Sequence, residues 1–320
     1  MMRPFMRCID VNSEQCPCLL SDTNHCFMCS QLKGEAVCNC DWTGQCILHE
    51  KRWKAPRKPS DAPCRREVES TLVIKRQVNE HTYIVETEVG LELAEQLNKI
   101  GSFIFMRRVD DPEMCNFPVG IMNVKRGTLT MAIETIGPKS SRLFMPLEAR
   151  VLLRGPYLNG VFGQPWIDST KYGTILAAVG GLGQSNALML AKAILANGNK
   201  ATFVIAPGQA GSIFVADELQ AMGVEVISVS SMRREGFAKL QELFSDKVDL
   251  LLSAGPDDLH NGLIATMHES GYNFPMAVTN NATMCCGEGI CGSCAKKTKD
   301  GVWIRTCKVQ LDFNQLENSH

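Results

Sequence analysis

The distribution of cysteine is the feature that most constrains this chain. Of its 15 cysteines, eight lie between Cys8 and Cys46 and five between Cys285 and Cys307, near the two ends of 320 residues. A secreted disulfide scaffold would be a short chain with cysteines spread throughout. The first fifteen residues also lack the apolar core of a secretion signal. Two dense groups in a long chain of this kind indicate metal ligation.

The C-terminal group has a defined spacing. Cys286, Cys291, Cys294 and Cys307 follow the pattern C-x4-C-x2-C-x12-C. This pattern fits the plant-type spacing of a [2Fe–2S] cluster, in which four thiolates bind two irons. The glycines among these cysteines would let the backbone turn around the cluster and direct N–H groups at its sulfurs. A tetrathiolate zinc site is the alternative, but a zinc ribbon prefers two C-x2-C pairs and this group has one.

The N-terminal cysteines are crowded but match no standard ferredoxin spacing. The segment has little apolar sequence, so a bound metal would have to supply folding energy. Structural zinc and an additional iron–sulfur cluster, [4Fe–4S] in type, both remain open, and the neighbouring motifs favour iron. The candidate ligands are Cys16, Cys18, Cys26, Cys29, Cys38, Cys40 and Cys46.

Length and charge exclude several classes of protein. The chain is long enough for about two domains, and its 45% hydrophobic residues can form a sizeable core. A net charge of −1 provides no basic excess for binding nucleic acid or an anionic membrane surface. Because no uninterrupted apolar run of about 18 residues is present, we predict no membrane span and expect a cytoplasmic protein.

Composition divides the chain into four predicted segments. Residues 1–64 form a Cys-rich metal-binding segment whose end, 51–64, is a basic, proline-rich linker. Residues 65–168 contain short strands separated by turn signals, which predict an antiparallel β-barrel. Residues 169–275 alternate strands with helices, as in a parallel Rossmann-like α/β domain. Residues 276–320 form a small Cys-rich domain.

The predicted elements can be given bounds. In the barrel segment the pattern predicts a helix at 91–100 and strands at 69–76, 82–88, 102–107, 120–124 and 128–134. In the α/β segment it predicts strands at 174–179, 202–206, 224–229 and 250–253, and helices at 185–196, 216–222 and 237–244. The fold class is therefore multi-domain, α/β plus β.

Two glycine turns follow predicted strands of the α/β segment. Gly180, Gly181 and Gly183 come between a strand and a helix, and Gly255-Pro256 ends a later strand. Backbone N–H groups at a helix N-terminus bind anions, and the carboxyl ends of parallel strands line one crevice. The first turn does not match G-x-G-x-x-G, so an ordinary strand-to-helix turn is the alternative.

The order of barrel, nucleotide domain and [2Fe–2S] segment resembles the ferredoxin–NADP reductase superfamily. Within it, the likeness is closest to electron-transfer subunits of dihydroorotate dehydrogenase and related NAD(P)H:ferredoxin oxidoreductases. It covers about residues 66–320 and rests on three stretches, 180–183, 254–257 and 284–294 with Cys307. The resemblance implies FAD in the barrel domain.

The resemblance also implies flavin contacts on two stretches. One is an Arg-Pro-(Ile/Leu)-Ser strand, where this chain has Phe117 in place of arginine and Gly120 in place of serine. Arg107 or Arg108 is a candidate for supplying the missing charge. The other is a glycine turn whose amides and hydroxyls would hold the pyrophosphate. The flavin-contact candidates are Pro118, Val119, Gly120, Ile121, Gly137, Lys139, Ser140 and Ser141.

The choice of nicotinamide cofactor depends on the end of one strand. NAD-type relatives carry an acidic stretch after a later strand, whereas this chain has Ser230, Arg233 and Arg234. Hydroxyl and guanidinium groups suit a 2′-phosphate, so we predict NADP(H), with NAD(H) as the alternative.

These sites together predict a redox protein. Nicotinamide delivers two electrons as hydride, an iron–sulfur cluster accepts one at a time, and a flavin can convert between the two. We expect a diaphorase-type subunit that exchanges electrons with redox subunits of a hetero-oligomeric complex, with an electron-bifurcating transhydrogenase as one setting. The alternatives are a free-standing NAD(P)H:ferredoxin reductase and a non-enzymatic, metal-dependent interaction protein. No acid–base or nucleophilic catalytic set stands out.

Overall fold

The computed structural model describes residues 6–38, 40, 46–51, 65–143 and 148–317. The chain divides into two compact units, Met1–Arg66 with Ala282–His320, and Glu67–Asn281. Residues 52–64 of the predicted linker lie outside the described residues. The two Cys-rich ends of the chain thus belong to one unit.

The N-terminal part of the first unit contains short elements. Strand β1 is Met6–Cys8, helix α1 is Leu19–Asp22 and helix α2 is Ile47–His49. Its apolar residues form a small core in which Cys26 and Cys29 pack with Leu32 and Ile47. A core of this size agrees with the low apolar content of the segment, because so little buried area stabilises a fold only weakly.

The second unit begins with seven antiparallel strands in the order β5-β4-β8-β2-β3-β7-β6. Helix α3, Leu91–Leu97, packs against this sheet. Large apolar residues of alternate positions fill the sheet's inner face, among them Val85, Ile104, Met131 and Leu153. The strands are β2 (Arg66–Gln77), β3 (Thr82–Glu88), β4 (Phe103–Arg108), β5 (Phe117–Gly120), β6 (Asn123–Lys125), β7 (Thr128–Glu134) and β8 (Ala149–Tyr157).

The predicted strand at 120–124 is wrong in one respect: it is two strands, β5 and β6. The chain changes partners between them, because the N–H of Ile121 donates to Ser102 and the N–H of Met122 donates to Thr130. Strands β5 and β6 are the two edges of the sheet, yet only two residues separate them. Seven strands laid flat would hold these edges about 30 Å apart, so the sheet must curl.

A six-stranded sheet forms the rest of the second unit, in the order β12-β11-β10-β13-β14-β9. Five strands are parallel, and β9 adds an antiparallel edge to the parallel sheet predicted. The strands are β9 (Val161–Phe162), β10 (Thr174–Gly180), β11 (Lys200–Ala206), β12 (Glu225–Ser228), β13 (Val248–Ala254) and β14 (Met276–Thr279). The helices are α4 (Gln164–Ser169), α5 (Gln184–Ala196), α6 (Ala216–Ala221), α7 (Phe237–Leu243) and α8 (Asp257–Glu269).

The C-terminal part of the first unit holds β15 (Ala295–Lys297), β16 (Trp303–Arg305) and β17 (Val309–Leu311). Strands β15 and β16 form a hairpin. Strand β17 pairs instead with β1 in antiparallel register, Met6 with Leu311 and Cys8 with Val309. The main chain of the N-terminal segment is therefore hydrogen-bonded to the C-terminal Cys-rich segment. No helix among the residues that the structure describes is long and apolar enough to span a membrane.

Candidate functional site

A cavity of 810 Å³ lies in the second unit, at the carboxyl ends of its parallel strands and against the curled sheet. This volume suits a cofactor or a drug-sized molecule. Many of the predicted site residues line it: Pro118, Val119, Gly120, Gly137, Ser140, Gly180, Gly181, Gly183, Arg233, Gly255 and Pro256. Ile121, Lys139, Ser141, Ser230 and Arg234 are not among its lining residues.

Three turns meet closely on the strand side of the cavity. A Cβ atom added to Gly183 would lie 2.2 Å from the carbonyl oxygen of Ala254, and one added to Gly208 would lie 2.7 Å from the amide nitrogen of Gly181. Gly181 has a φ of +56° and Gly208 a φ of +53°, in the left-handed region that favours glycine. Glycine therefore allows the turns after β10, β11 and β13 to approach one another through their backbones.

The start of α5 is fixed by Gln184, which is fully buried. Its Oε1 accepts from the N–H of Phe214 at 2.8 Å, and its Nε2 donates to the carbonyl of Ser212 at 3.1 Å. Because the side chain is used within the protein, the backbone N–H groups of the glycine turn and the helix dipole are what this turn can offer an anion.

A buried histidine that was not among the predicted site residues lies behind the cavity. His260 is fully buried; its Nδ1 lies 2.7 Å from Ser253 Oγ and its Nε2 lies 3.0 Å from the carbonyl oxygen of Thr279. Asn281, which lines the cavity, donates through Nδ2 to the carbonyl of Gly255 at 2.6 Å. These bonds hold the turn after β13 in place. A lone histidine on a helix carries no sequence signal for such a role.

The curled sheet contributes β5 to the opposite wall. A Cβ atom on Gly120 would lie 3.1 Å from Asn186 Oδ1. The side chain of Asn186 on α5 would therefore crowd any residue larger than glycine at position 120. Lys139 Nζ donates to the carbonyl of Asn116 at 2.9 Å. Arg107 pairs with Glu67. Neither Arg107 nor Arg108 lines the cavity, which is evidence against the idea that one of them replaces the missing arginine.

Two of the residues predicted to bind a 2′-phosphate, Ser230 and Arg233, contact acidic side chains. Ser230 donates to Glu235 through its hydroxyl at 2.6 Å and through its N–H at 3.1 Å, and these hydrogen bonds lower the pKa of Glu235. Arg233 pairs with Asp258 at 3.0 Å, and both side chains line the cavity and are largely exposed. Arg233 is therefore the residue of this group that reaches the cavity.

The four C-terminal cysteines form two pairs in the first unit. The thiols of Cys286 and Cys291 are hydrogen-bonded, and so are those of Cys294 and Cys307. Cys294 and Cys307 are buried, whereas Cys291 is exposed. The N–H of Glu288 donates to Cys286 Sγ at 3.3 Å. The glycines of this segment bend the loop, with φ values of +71° at 287, +78° at 289 and +79° at 292.

Hydrogen bonds favour the thiolate form at two of these four cysteines, Cys291 and Cys294, whereas burial raises the pKa of Cys286. The hydrogen bond with Cys307 lowers the pKa of Cys294 to about 6 and raises the pKa of Cys307. Burial alone would raise the pKa of Cys291, but hydrogen bonds with Ser293 and Cys286 bring it down to about 7. Thiolates are the form that binds metal. No three His, Cys, Asp or Glu side chains in the described ranges lie close enough to hold one metal ion. A [2Fe–2S] cluster needs only two thiolates at each iron, so the pairs fit it better than they fit zinc.

The N-terminal candidate ligands differ in exposure. Cys26 and Cys29 are buried, whereas Cys38 and Cys46 are exposed. The sulfur atoms of Cys38 and Cys40 lie 3.5 Å apart. Cys16 and Cys18 are half-buried, and burial raises the pKa of Cys16. The seven cysteines thus comprise two buried, two exposed and three half-buried residues, the last being Cys16, Cys18 and Cys40.

The sequence is similar to those of known electron-transfer subunits, although no family model matches the chain. The chain is 26% identical, over 76% of its length and 96% of the relative, to the electron transfer subunit of dihydroorotate dehydrogenase B (NAD(+)) from Clostridium perfringens. It is 24% identical, over 61% of its length and 68% of the relative, to a homologue of that subunit from Thermotoga maritima.

A solved structure of an NADH-dependent reduced ferredoxin-NADP oxidoreductase superposes with a TM-score of 0.63, at 20% identity, over 78% of this chain and 89% of that chain. The chain has the fold of that oxidoreductase, and its sequence is similar to those of the electron-transfer subunits. A second solved structure, the ferredoxin reductase of carbazole 1,9a-dioxygenase, superposes with a TM-score of 0.51, at 15% identity, over 69% of this chain and 72% of that chain. The likeness to both structures is one of fold, and in this chain that fold is the curled antiparallel sheet followed by the mixed α/β sheet.

Proposed function

We propose that this chain is a diaphorase-type electron-transfer subunit of the ferredoxin–NADP reductase superfamily that passes electrons between NADP(H), FAD and a [2Fe–2S] cluster. The observation that carries the proposal is the cavity in which β5 of the curled sheet faces three glycine turns of the α/β sheet. Flavin and nicotinamide would both be held there, close enough to exchange hydride, and bound FAD supplies the conversion between two-electron and one-electron steps.

The protein groups around that cavity have separable roles. The backbone of Gly180, Gly181 and Gly183 would bind a nucleotide phosphate at the start of α5. The turn Gly137–Ser141 would bind the flavin pyrophosphate, with Ser140 facing the cavity. Arg233 would bind a 2′-phosphate, and its exposed ion pair with Asp258 would break when the phosphate binds. This last role favours NADP(H) over NAD(H).

The first unit would carry the one-electron centres. Cys286 with Cys291 would bind one iron of the [2Fe–2S] cluster, and Cys294 with Cys307 the other, matching the pairs of thiols. The seven N-terminal cysteines would form a second metal centre, [4Fe–4S] or zinc. They belong to the same unit as residues 286–294, the [2Fe–2S] loop, and this shared unit supports a joint redox module.

Redox partners are proposed from the likeness to subunits of larger enzymes. The relatives from Clostridium perfringens and Thermotoga maritima are named as an electron transfer subunit and its homologue, and the solved oxidoreductase structure provides insights into flavin-based electron bifurcation. We therefore propose other redox subunits as partners, and ferredoxin as an acceptor. A free-standing reductase would instead turn over fully as a monomer.

One observation favours a second candidate, a metal-dependent interaction protein without flavin. Phe117 and Gly120 stand where the superfamily has the arginine and serine of its flavin strand, and Asn186 crowds Gly120. The loss of a guanidinium and a hydroxyl removes two groups that could bind flavin. The chain would then retain metal while lacking a yellow cofactor.

The deciding experiment is anaerobic purification followed by a visible spectrum, with iron, zinc, acid-labile sulfide and flavin measured on the same sample. Flavin with about two irons per chain supports the reductase and assigns zinc to the N-terminus. About six irons per chain would indicate an additional [4Fe–4S] cluster. Iron without flavin would overturn the flavin assignment and support the second candidate.

A further inference from the structure

Four charged side chains form a closed, buried network in the first unit. Arg65 contacts both oxygens of Asp10, at 2.9 and 3.0 Å, and both oxygens of Glu288, at 2.8 and 2.7 Å. Lys308 Nζ lies 2.6 Å from Asp10 Oδ2 and 3.0 Å from Glu288 Oε2. Each cation thus contacts both anions, and the formal charge of the set is zero.

The burial of this network is unusual for charged residues. The side chains of Lys308, Asp10 and Arg65 are 1%, 3% and 3% exposed, and that of Glu288 is 22% exposed. Lysine and arginine are rarely buried this fully, and a buried ion pair contributes little net stability because desolvation opposes the Coulomb attraction. Removing one partner of such a pair is costly, however, because it leaves an uncompensated charge. A network of this kind therefore fixes geometry more than it adds stability.

The network is built around the [2Fe–2S] loop. Glu288 lies between two proposed ligands, and its N–H donates to Cys286 Sγ at 3.3 Å. Lys308 directly follows the ligand Cys307. A Cβ atom on Gly289 would lie 3.3 Å from Lys308 Cγ and 2.9 Å from Leu20 Cδ1, so the loop is packed against both the network and α1.

The other two members come from the N-terminal part of the chain. Asp10 follows β1, which pairs with β17 immediately after Lys308, and the N–H of Ile9 donates to the carbonyl of Lys308 at 2.8 Å. Arg65 lies at the other end of the N-terminal part. The network therefore joins both ends of this part to the loop and to the residue after the last ligand.

We propose that Asp10, Arg65, Glu288 and Lys308 are positioning residues of the [2Fe–2S] site, and that the N-terminal segment thereby sets the conformation of the cluster loop and the reduction potential of the cluster. The inference rests on the proposed function, because it requires the cluster. A positive charge near a cluster stabilises its reduced form and a negative charge stabilises its oxidised form. The neutral network leaves these influences balanced.

Removing a positive charge and removing a negative charge from the network are expected to shift the reduction potential of the cluster in opposite directions. Lys308→Met leaves the network with a net negative charge and lowers the midpoint potential. Asp10→Asn leaves it with a net positive charge and raises the potential. Each change is expected to alter the ratio of reduced to oxidised cluster about tenfold at a fixed ambient potential, the effect of a charge in a medium of low polarity. A merely structural role would not produce opposite signs.

The test uses the full chain purified anaerobically, with the midpoint potential measured by a redox titration followed by electron paramagnetic resonance. The variants are K308M, D10N and D10N/K308M, in which the two shifts are expected to cancel. The control is Lys297→Met, which removes an exposed lysine paired with Glu317 in the same unit and is expected to leave the potential unchanged. Unchanged potentials in both single variants, or shifts of the same sign, would overturn the inference.

Cluster content provides the second readout. If the single variants lose iron and sulfide, the charge-balanced double variant is expected to regain them, because no buried charge is left unpaired. Failure of the double variant to regain the cluster, while K297M keeps it, would count against the inference. A wild-type chain without a [2Fe–2S] cluster would instead overturn the proposed function, and this inference with it.

Discussion

Gly183 lies so close to Ala254 that a Cβ atom on Gly183 would be 2.2 Å from the Ala254 carbonyl oxygen and 2.5 Å from the nitrogen of Gly255. Both contacts are with backbone, which cannot move aside as a flexible side chain can. This approach joins the turns after β10 and β13 at the floor of the cavity. The packing of the two turns, and with it the cavity, depends on glycine at 183.

Gly183→Ala is therefore expected to destabilise the second unit by about 1–3 kcal/mol, the usual cost of overpacking, and to weaken nucleotide binding. The measurement is denaturant unfolding together with titration of nicotinamide nucleotide. Gly180→Ala is the matched control for the unfolding measurement alone, since its Cβ would make only an ordinary contact, 3.6 Å from Leu259. Equal stability of the two variants would refute the steric argument.

The cysteine assignment can be tested on two adjacent residues. Cys286→Ala is expected to abolish the [2Fe–2S] spectrum, because alanine has no atom that could replace one of the four thiolates of the cluster. Cys285→Ala is expected to keep the spectrum, since Cys285 is exposed and lies outside the C-x4-C-x2-C-x12-C pattern. The presence of the cluster in each variant is measured by visible absorption and iron content. Loss of the cluster in both variants, or in neither, would contradict the ligand set.

Local pattern was a reliable guide where neighbouring residues decide the structure. Strands β3 and β7 have the predicted bounds, Thr82–Glu88 and Thr128–Glu134, because β-branched runs there end at turn residues. Strand β8, Ala149–Tyr157, was not predicted, although it pairs with β4 in the middle of the curled sheet. Its alternation of buried residues with exposed or half-buried ones follows from the sheet around it. The sequence before it also offers weaker turn signals than those around β7.

Long-range relationships could not be predicted. The pairing of Met6 with Leu311, and of Asp10 with Lys308, joins residues about 300 positions apart, and no local periodicity encodes such contacts. The same holds for the cavity: glycine turns indicated an anion site, whereas Glu134, Asn186 and Asn281 became recognisable only when the two sheets placed them in its wall. His260 likewise has nothing in the sequence to distinguish it from an ordinary helix residue, because its buried partners Ser253 and Thr279 lie on other elements.

Arg233 and Asp258 make a prediction about cofactor choice. Arg233→Met is expected to raise the KM for NADPH about tenfold, the scale of one charge-assisted hydrogen bond, with little change for NADH. Asp258→Asn is expected to lower the KM for NADPH, because the guanidinium is no longer paired at 3.0 Å with a carboxylate. Steady-state kinetics with both nucleotides provide the measurement.

The control for this pair is Lys239→Met, which removes an exposed lysine paired with Glu242. This change removes the same charge from outside the lining of the cavity. It is expected to leave both KM values unchanged. If Arg233→Met raised the KM for NADH as much as that for NADPH, the 2′-phosphate role would be refuted.

Glu134 gives the cavity a pH dependence. Burial raises the pKa of this carboxyl, and His81 lowers it in part. A carboxyl whose folded pKa lies above its unfolded value, here 4.5, destabilises the protein when ionised. This cost is fully present above the raised pKa and disappears as the pH falls to 4.5. Glu134→Gln is therefore expected to stabilise the protein slightly at neutral pH, and the difference should shrink as the pH is lowered through that range.

The same change should affect ligand binding, because Glu134 lines the cavity in which an anionic dinucleotide is proposed to lie. Removing its charge is expected to strengthen flavin binding at neutral pH and to have less effect near pH 4.5. The measurements are denaturant unfolding and flavin titration, each made from neutral pH down to pH 4.5. Glu88→Gln, an exposed position on β3, is the control and should leave both unchanged. A Glu134→Gln effect independent of pH would mean that the amide acts through hydrogen bonding or packing and that ionisation of Glu134 is not the cause.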